Sequence, residues 1–137
     1  MTQPFRVLPR LDEENTFFWT SGADGQLRFL RCNACGYWIH PPLPQCPQCA
    51  SHDIAPCAVS GKATVHSFTI NHQPWDGTPE PWAIVLIEFP EQAGLRLTSN
   101  MVGCHPDAVH IGMPVSVVFE QYDDVFFPLF TPDHVAL

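Results

Sequence analysis

The rhythm of apolar and polar positions along the 137-residue chain changes near residue 26 and again near residue 59. The first eleven residues show no period, and Pro4 and Pro9 hold their backbone extended, as in a tail. "DEENTFFWTSGADG" (12–25) then reads as a short helix. Asp12, Glu13 and Glu14 fall in its first turn, where acidic groups complement the helix dipole, and Phe17, Phe18 and Trp19 form one apolar side. Gly22 or Gly25 ends it. "QLRFLRC" (26–32) alternates and predicts a strand.

After Val59 the pattern is one of short strands and turns. "KATVHSFTI" (62–70) is rich in β-branched and aromatic residues. "WAIVLIEF" (82–89) is almost continuously apolar, as expected of a strand buried on both faces. "LRLTSNMV" (95–102) and "MPVSVVFEQ" (113–121) alternate, and "VFFPLFTP" (125–132) is a last strand. Between them lie a polar, proline-rich loop (71–81) with an Asp76-Gly77 turn signal, the turn "PEQAG", and the connector "GCHPDAVHIG" with one helical turn. Five short strands of this kind predict a small Greek-key barrel of the OB type, with an open sandwich as the alternative.

The stretch between these regions, "RCNACGYWIHPPLPQCPQCA" (31–50), has a spacing rather than a period: C-x2-C-x10-C-x2-C. A CxxC turn presents two thiolates to one point, and Gly36 eases the chain past the first pair. Zn²⁺ takes four soft donors in a tetrahedron with each sulfur at about 2.3 Å. Cys32, Cys35, Cys46 and Cys49 are the expected ligands, with Pro41, Pro42 and Pro44 stiffening the link between the two knuckles. Four thiolates leave no open position for water or substrate, so the site is read as structural. A segment this short has little core of its own and needs a metal to fold.

The expected fold is therefore mainly β: an N-terminal helix, a rubredoxin-like zinc ribbon, and a C-terminal OB-fold barrel of five strands. The expected division is a tail and helix at 1–28, the ribbon at 29–58 and the barrel at 59–137, with the barrel core separate from the ribbon.

Composition narrows the function. The 45% hydrophobic and 15% charged residues are ordinary for a folded domain, and 15 prolines with 8 glycines disfavour long helices. The formal charge is −8, and from Val59 onward two basic residues face nine acidic ones. Single-strand binders interleave stacking aromatics with a positive groove. Here Phe68, Trp82 and Phe119 are present but the positive groove is not, which argues against nucleic acid. No apolar run approaches a membrane span, and the opening residues lack the apolar core of a signal peptide. The expected location is a reducing cytoplasm, where paired CxxC motifs bind metal rather than form disulfides.

No catalytic constellation emerges. Cys57 and Cys104 remain after the ribbon is built, and Cys104-His105 are sequence neighbours that point apart in extended chain. His40, His66 and His72 do not cluster, and Asp123-Asp124 point in two directions.

The succession "RCNACGYWIHPPLPQCPQCAS", "SGKATVHSFTI", a buried strand, "LRLTSNMVG", "IGMPVSVVFE" and "FPLF" resembles the zinc-ribbon/OB-fold family long labelled domain of unknown function thirty-five. The resemblance covers nearly the whole chain, including the helix with "FFW". It implies a non-catalytic accessory subunit that binds and stabilises a thiolase-superfamily acyl-CoA enzyme. The partner would be a thiolase or a lipid-transfer-protein-like aldolase that shortens steroid side chains, or an acyl-CoA hydratase. It also implies a share in the CoA channel, which makes Arg28, Arg31 and Lys62 candidates for CoA phosphates, and Trp75 and the Phe17-Phe18-Trp19 stripe candidate interface anchors. The alternative is a free-standing OB-fold module for nucleic acid or acyl-CoA.

Overall fold

The computed structural model describes residues 6–73 and 80–133. Trp75 and the Asp76-Gly77 turn signal lie outside them. The expected N-terminal helix is shorter than its pattern: α1 spans Thr16–Thr20 and continues as a 3-10 turn, Ser21–Asp24. Its first turn holds no acidic residue. Asp12 instead folds back, its Oδ1 accepting from the N–H of Glu14 (2.9 Å) and Asn15 (2.8 Å). A short carboxylate that captures nearby backbone N–H groups competes with the helix, so the acidic run becomes a turn ahead of it. Gly25 closes the 3-10 turn at φ +81°. Gly22 serves a different purpose: a Cβ there would overlap the Phe119 ring and come within 2.8 Å of Phe126 Cβ.

The ribbon's sheet has β1 (Arg28–Cys32) between β2 (Trp38–Ile39) and β3 (Ile54–Ala58), antiparallel to both. The hydrophobic pattern shows only β1. β2 is two residues long, and β3, "IAPCA", has no alternation to reveal it. Register fixes what each face carries. Leu30 opposes Ile39 and Cys32 opposes Ile54 on one face. Arg31 opposes Trp38 and Phe29 opposes Cys57 on the other.

The barrel comprises β4 (Lys62–Asn71), β5 (Trp82–Glu88), β6 (Arg96–Asn100), β7 (Pro114–Tyr122) and β8 (Val125–Pro132), in the order β6-β5-β4-β7-β8. A parallel bridge between Met101 and Phe130 brings the end of β6 against β8, and the Val102 N–H donates to Phe130 O at 2.8 Å. A three-stranded meander, β4-β5-β6, whose first strand pairs with the fourth and whose third meets the fifth is the OB-type Greek key. The connector to β7 holds a single 3-10 turn, Pro106–Ala108. A bulge between Val65 and Ser67 shifts the parity of β4, so that Phe68 and Ile70 oppose the core residues Val85 and Ala83. The expectation that the apolar run of β5 is buried on both faces is corrected. Ala83, Val85 and Ile87 face the core, while Trp82, Ile84 and Leu86 are only half-buried on the outer wall. An antiparallel barrel has one inside, and this strand is apolar on its outside as well.

The expectation of a barrel core separate from the ribbon is also corrected. Phe29 and Trp38 of the ribbon, Phe18 of α1 and the inward residues of the barrel form one buried cluster. Aromatic contacts thread it: Phe18 on Phe29 (6.2 Å), Phe29 on Phe89 (5.0 Å) and Phe89 on Phe130 (5.9 Å). No helix among the described residues is long and apolar enough to cross a membrane.

Candidate functional site

The two CxxC knuckles are built alike. In the first, the Gly36 N–H donates to Cys32 O at 2.8 Å and the Cys32 N–H donates to Tyr37 O at 2.9 Å. In the second, the Ala50 N–H donates to Cys46 O and the Cys46 N–H to Ser51 O, both at 2.9 Å. Each places its fifth residue at positive φ, +81° for Gly36 and +64° for Ala50. The turns aim backbone N–H groups at sulfur: Cys35 N lies 3.4 Å from Cys32 Sγ, and Gln48 N lies 3.4 Å from Cys46 Sγ.

The four expected sulfurs converge. Cys32 Sγ and Cys49 Sγ are 3.6 Å apart, as are Cys35 Sγ and Cys46 Sγ. All four lie within 4.8 Å of one another. A tetrahedral ion with four bonds of about 2.3 Å sets its sulfurs about 3.8 Å apart, so the cluster fits Zn²⁺. The electrostatics agree. The Cys32 thiol is pulled down to about 7, chiefly by the Cys35 backbone N–H. At Cys35 the Tyr37 backbone N–H acts in the same sense, but burial and the crowding of Cys49, Cys46 and Cys32 push the thiol up to about 12. Four thiolates repel one another, and a divalent cation among them removes that repulsion.

The three basic residues considered for CoA phosphates each have internal partners. Arg28 makes a two-pronged ion pair with Asp24, at 2.6 and 3.0 Å. Arg31 donates from Nε to Gly36 O at 3.0 Å and lies 4.7 Å over the Trp38 ring. Lys62 Nζ reaches Asp133 at 2.9 Å and Ser116 Oγ at 3.0 Å. His105 caps the 3-10 turn, its Nδ1 accepting from the Asp107 N–H at 3.1 Å. Of the aromatic stripe, Phe18 is buried and Phe17 and Trp19 pack against the main core, so the stripe holds the helix to the barrel.

Two positions that matter carry no sequence signal. Gln92, in the turn after β5, clasps the ribbon's backbone: Trp38 N–H donates to its Oε1 and its Nε2 donates to Trp38 O, both at 2.9 Å. Arg6 ties the tail to the barrel, donating to Glu120 at 2.8 Å and Asn100 at 3.0 Å. Both contacts span more than fifty residues of chain, beyond the reach of local pattern.

A four-thiol ribbon whose sheet packs onto an OB-type barrel defines a zinc-ribbon/OB-fold protein. The chain belongs to the ChsH2 family: residues 19–55 match the family model "ChsH2, rubredoxin-like zinc ribbon domain" and residues 57–120 match "ChsH2, C-terminal OB-fold domain". It is 35% identical over 129 residues to the "Probable enoyl-CoA hydratase alpha subunit" of Thermomonospora curvata, covering 93% of this chain and 40% of that protein. It is 34% identical over 126 residues to the "3-oxo-4,17-pregnadiene-20-carboxyl-CoA hydratase alpha subunit" of Mycobacterium tuberculosis, covering 91% and 40%. The chain thus spans less than half the length of these two relatives. Among solved structures, a chain of an "Ltp2-ChsH2(DUF35) aldolase" superposes with a TM-score of 0.82 at 33% identity, over 91% of this chain and 98% of that one.

Proposed function

We propose that this chain is a non-catalytic accessory subunit of an acyl-CoA enzyme, with Zn²⁺ held by Cys32, Cys35, Cys46 and Cys49 as a structural staple. The partner in this reading is a thiolase-superfamily enzyme, a thiolase or a lipid-transfer-protein-like aldolase acting on steroid or other lipid side chains. One observation carries it: the chain overlays 98% of a chain in a solved structure titled "Ltp2-ChsH2(DUF35) aldolase". The names of the hydratase alpha-subunit relatives also point to acyl-CoA chemistry.

In this role the chain stabilises the partner and lends one wall to the CoA channel. The apolar outer wall of β5 suits such a contact. The Lys62 side chain is 61% exposed, and it would meet a phosphate by exchanging its Asp133 pair. Arg28 would have to exchange its Asp24 pair. The test is co-expression with a thiolase-like enzyme, size-exclusion chromatography, and assay of carbon–carbon cleavage or formation on acyl-CoA esters. The expected result is a co-eluting complex that is active where the chain alone is inert. Turnover by the purified chain alone, lost on changing Cys104 or His105, would overturn the assignment.

A further inference from the structure

The ribbon's thiols differ in access. Cys35 and Cys49 are exposed, while Cys32 and Cys46 are buried, at 1% and 2% exposure. Each knuckle thus carries one sulfur that a dissolved oxidant can reach and one that it cannot. The contacts at 3.6 Å, Cys32 to Cys49 and Cys35 to Cys46, run between the knuckles, and each joins an exposed thiol to a buried one. Together they use all four sulfurs once. A disulfide sets its sulfurs about 2.05 Å apart, so each pair has to close by about 1.5 Å.

Where a bridge forms decides what it holds. A bridge inside a knuckle leaves the two knuckles unconnected. Bridges along the 3.6 Å contacts tie residues 17 and 11 positions apart, so they join the knuckles as the ion does. The sheet stays in place meanwhile, because its other face is held elsewhere. Phe29 and Trp38 lie in the main core, and Gln92 clasps the Trp38 backbone. Cys57 and Cys104 stand outside the four-sulfur group.

We propose that this cluster is also a site of reversible oxidation by hydrogen peroxide, with Cys35 and Cys49 as the thiols attacked and Cys46 and Cys32 as their resolving partners. Attack of the Cys35 thiolate on peroxide breaks the O–O bond, gives a Cys35 sulfenic acid and releases hydroxide. The Cys46 sulfur then attacks that of Cys35, an S–S bond forms, and water leaves. Cys49 and Cys32 react likewise with a second peroxide. Each bridge takes two electrons and two protons from its thiols and turns one peroxide into two waters. Thiols spent in bridges no longer ligate Zn²⁺, and the bridges take over the joining of the knuckles. The inference rests on the zinc assignment of these four cysteines and on no enzyme partner.

The test adds hydrogen peroxide in steps to the full chain after its zinc content has been measured. A metallochromic dye reads zinc release, and mass spectrometry after chymotryptic cleavage reads the bridges. Cleavage after Tyr37 and Trp38 separates the knuckles, so a bridge across them leaves two peptides joined, and electron-transfer fragmentation assigns the cysteines. The expected result is about two peroxides consumed per zinc released, with Cys32–Cys49 and Cys35–Cys46 bridges. Dithiothreitol and added Zn²⁺ should restore the zinc-loaded chain. The bridged, metal-free chain should melt about 5 °C or more above the same chain stripped of metal and kept reduced. Bridges within a knuckle, the other crossed pairing, oxidation that ends at sulfinic acid, or melting no higher than the stripped chain would each overturn this inference alone. A chain that binds no zinc at the outset overturns the metal assignment and this inference with it.

Discussion

The two faces of the ribbon's small sheet are built on opposite principles. On the metal face, among the described residues, the buried cluster is Cys32, Ile39 and Cys46, with Leu30, Tyr37 and Ile54 half-buried beside it. Two of those three buried residues are thiols expected to hold the ion. On the barrel face, Phe29 and Trp38 join a cluster of eighteen buried residues that runs through α1 and the barrel. Ordering one residue's backbone costs on the order of 1–2 kcal/mol, and three small buried side chains do not offset that for two knuckles and their proline link. The metal face thus depends on coordination and the barrel face on apolar burial. β1 belongs to both, since Cys32 and Phe29 lie three residues apart on one strand.

The strongest way to test that contrast is to remove one ligand. Cys46→Ser breaks the closed tetrahedron. Structural zinc sites are worth roughly 10–16 kcal/mol, and a whole domain about 5–15 kcal/mol. Metal analysis should find well below one Zn per chain. Because Phe29 and Trp38 sit in the main core, loss of the ribbon should also lower the melting temperature of the barrel or leave the protein insoluble. Full zinc content with unchanged melting would show that these cysteines are not the ligands. Lost zinc with unchanged barrel melting would show that the two faces fold independently.

The second test approaches from the other side. Phe29→Ala leaves the thiols in place but removes the ring that links Phe18 and Phe89. A buried Phe truncated to Ala costs about 3–5 kcal/mol. The expected outcome is a large fall in thermal stability together with faster zinc loss to a chelator. Zinc release at the unsubstituted rate would mean that the metal face does not feel the barrel.

The same contrast explains what could be read from the sequence. Ligand chemistry is written in spacing, so C-x2-C-x10-C-x2-C marked all four sulfurs that converge in the structure. Barrel strands are written in alternation or in β-branched and apolar runs, and each of the five lies close to where its pattern put it. The failures occur where structure is made by tertiary contact. The two residues of β2 and the Pro56-bearing β3 are strands because β1 pairs with them. The shared core was missed because nothing local distinguishes Phe29 from a residue buried within a self-contained ribbon. The apolar outside of β5 looked like two-sided burial because an unbroken apolar run does not reveal which face is covered. The hollow lined by Phe18, Trp19, His40 and Leu86 was invisible for a similar reason: its walls come from four stretches, residues 15–19, 40–42, 86 and 96–98, with no common period.

A milder test addresses the joint itself. Gln92→Ala removes both hydrogen bonds to the Trp38 backbone and leaves that buried strand N–H without its partner. The loss should be about 1–3 kcal/mol, with zinc fully retained. Hydrogen exchange should report it as faster exchange at the Trp38 amide. If Trp38 keeps its protection, the ring's burial alone holds ribbon to barrel and the Gln92 clasp is incidental.

The smallest expected effect lies within the metal face, where the two knuckles differ at one position. Gly36 and Ala50 occupy the same place in their turns, both at positive φ. Glycine adopts that conformation freely, whereas alanine strains by roughly 1–2 kcal/mol. Ala50→Gly relieves the strain but loosens the unfolded chain, which returns about 0.4–1 kcal/mol. The net should be a stabilisation of about 0.5–1 kcal/mol, read as a melting temperature higher by about 1–3 °C. Gly36→Ala is the mirror experiment. A Cβ there would meet only Arg31 Nη2 at 3.7 Å, ordinary contact, so its cost reflects backbone strain rather than a clash. Zinc content should stay the same in both variants, because neither touches a sulfur. Opposite shifts would establish that the second knuckle holds strain that the first avoids. Shifts of the same sign would mean that the Ala50 methyl group makes a contact worth more than the strain it imposes.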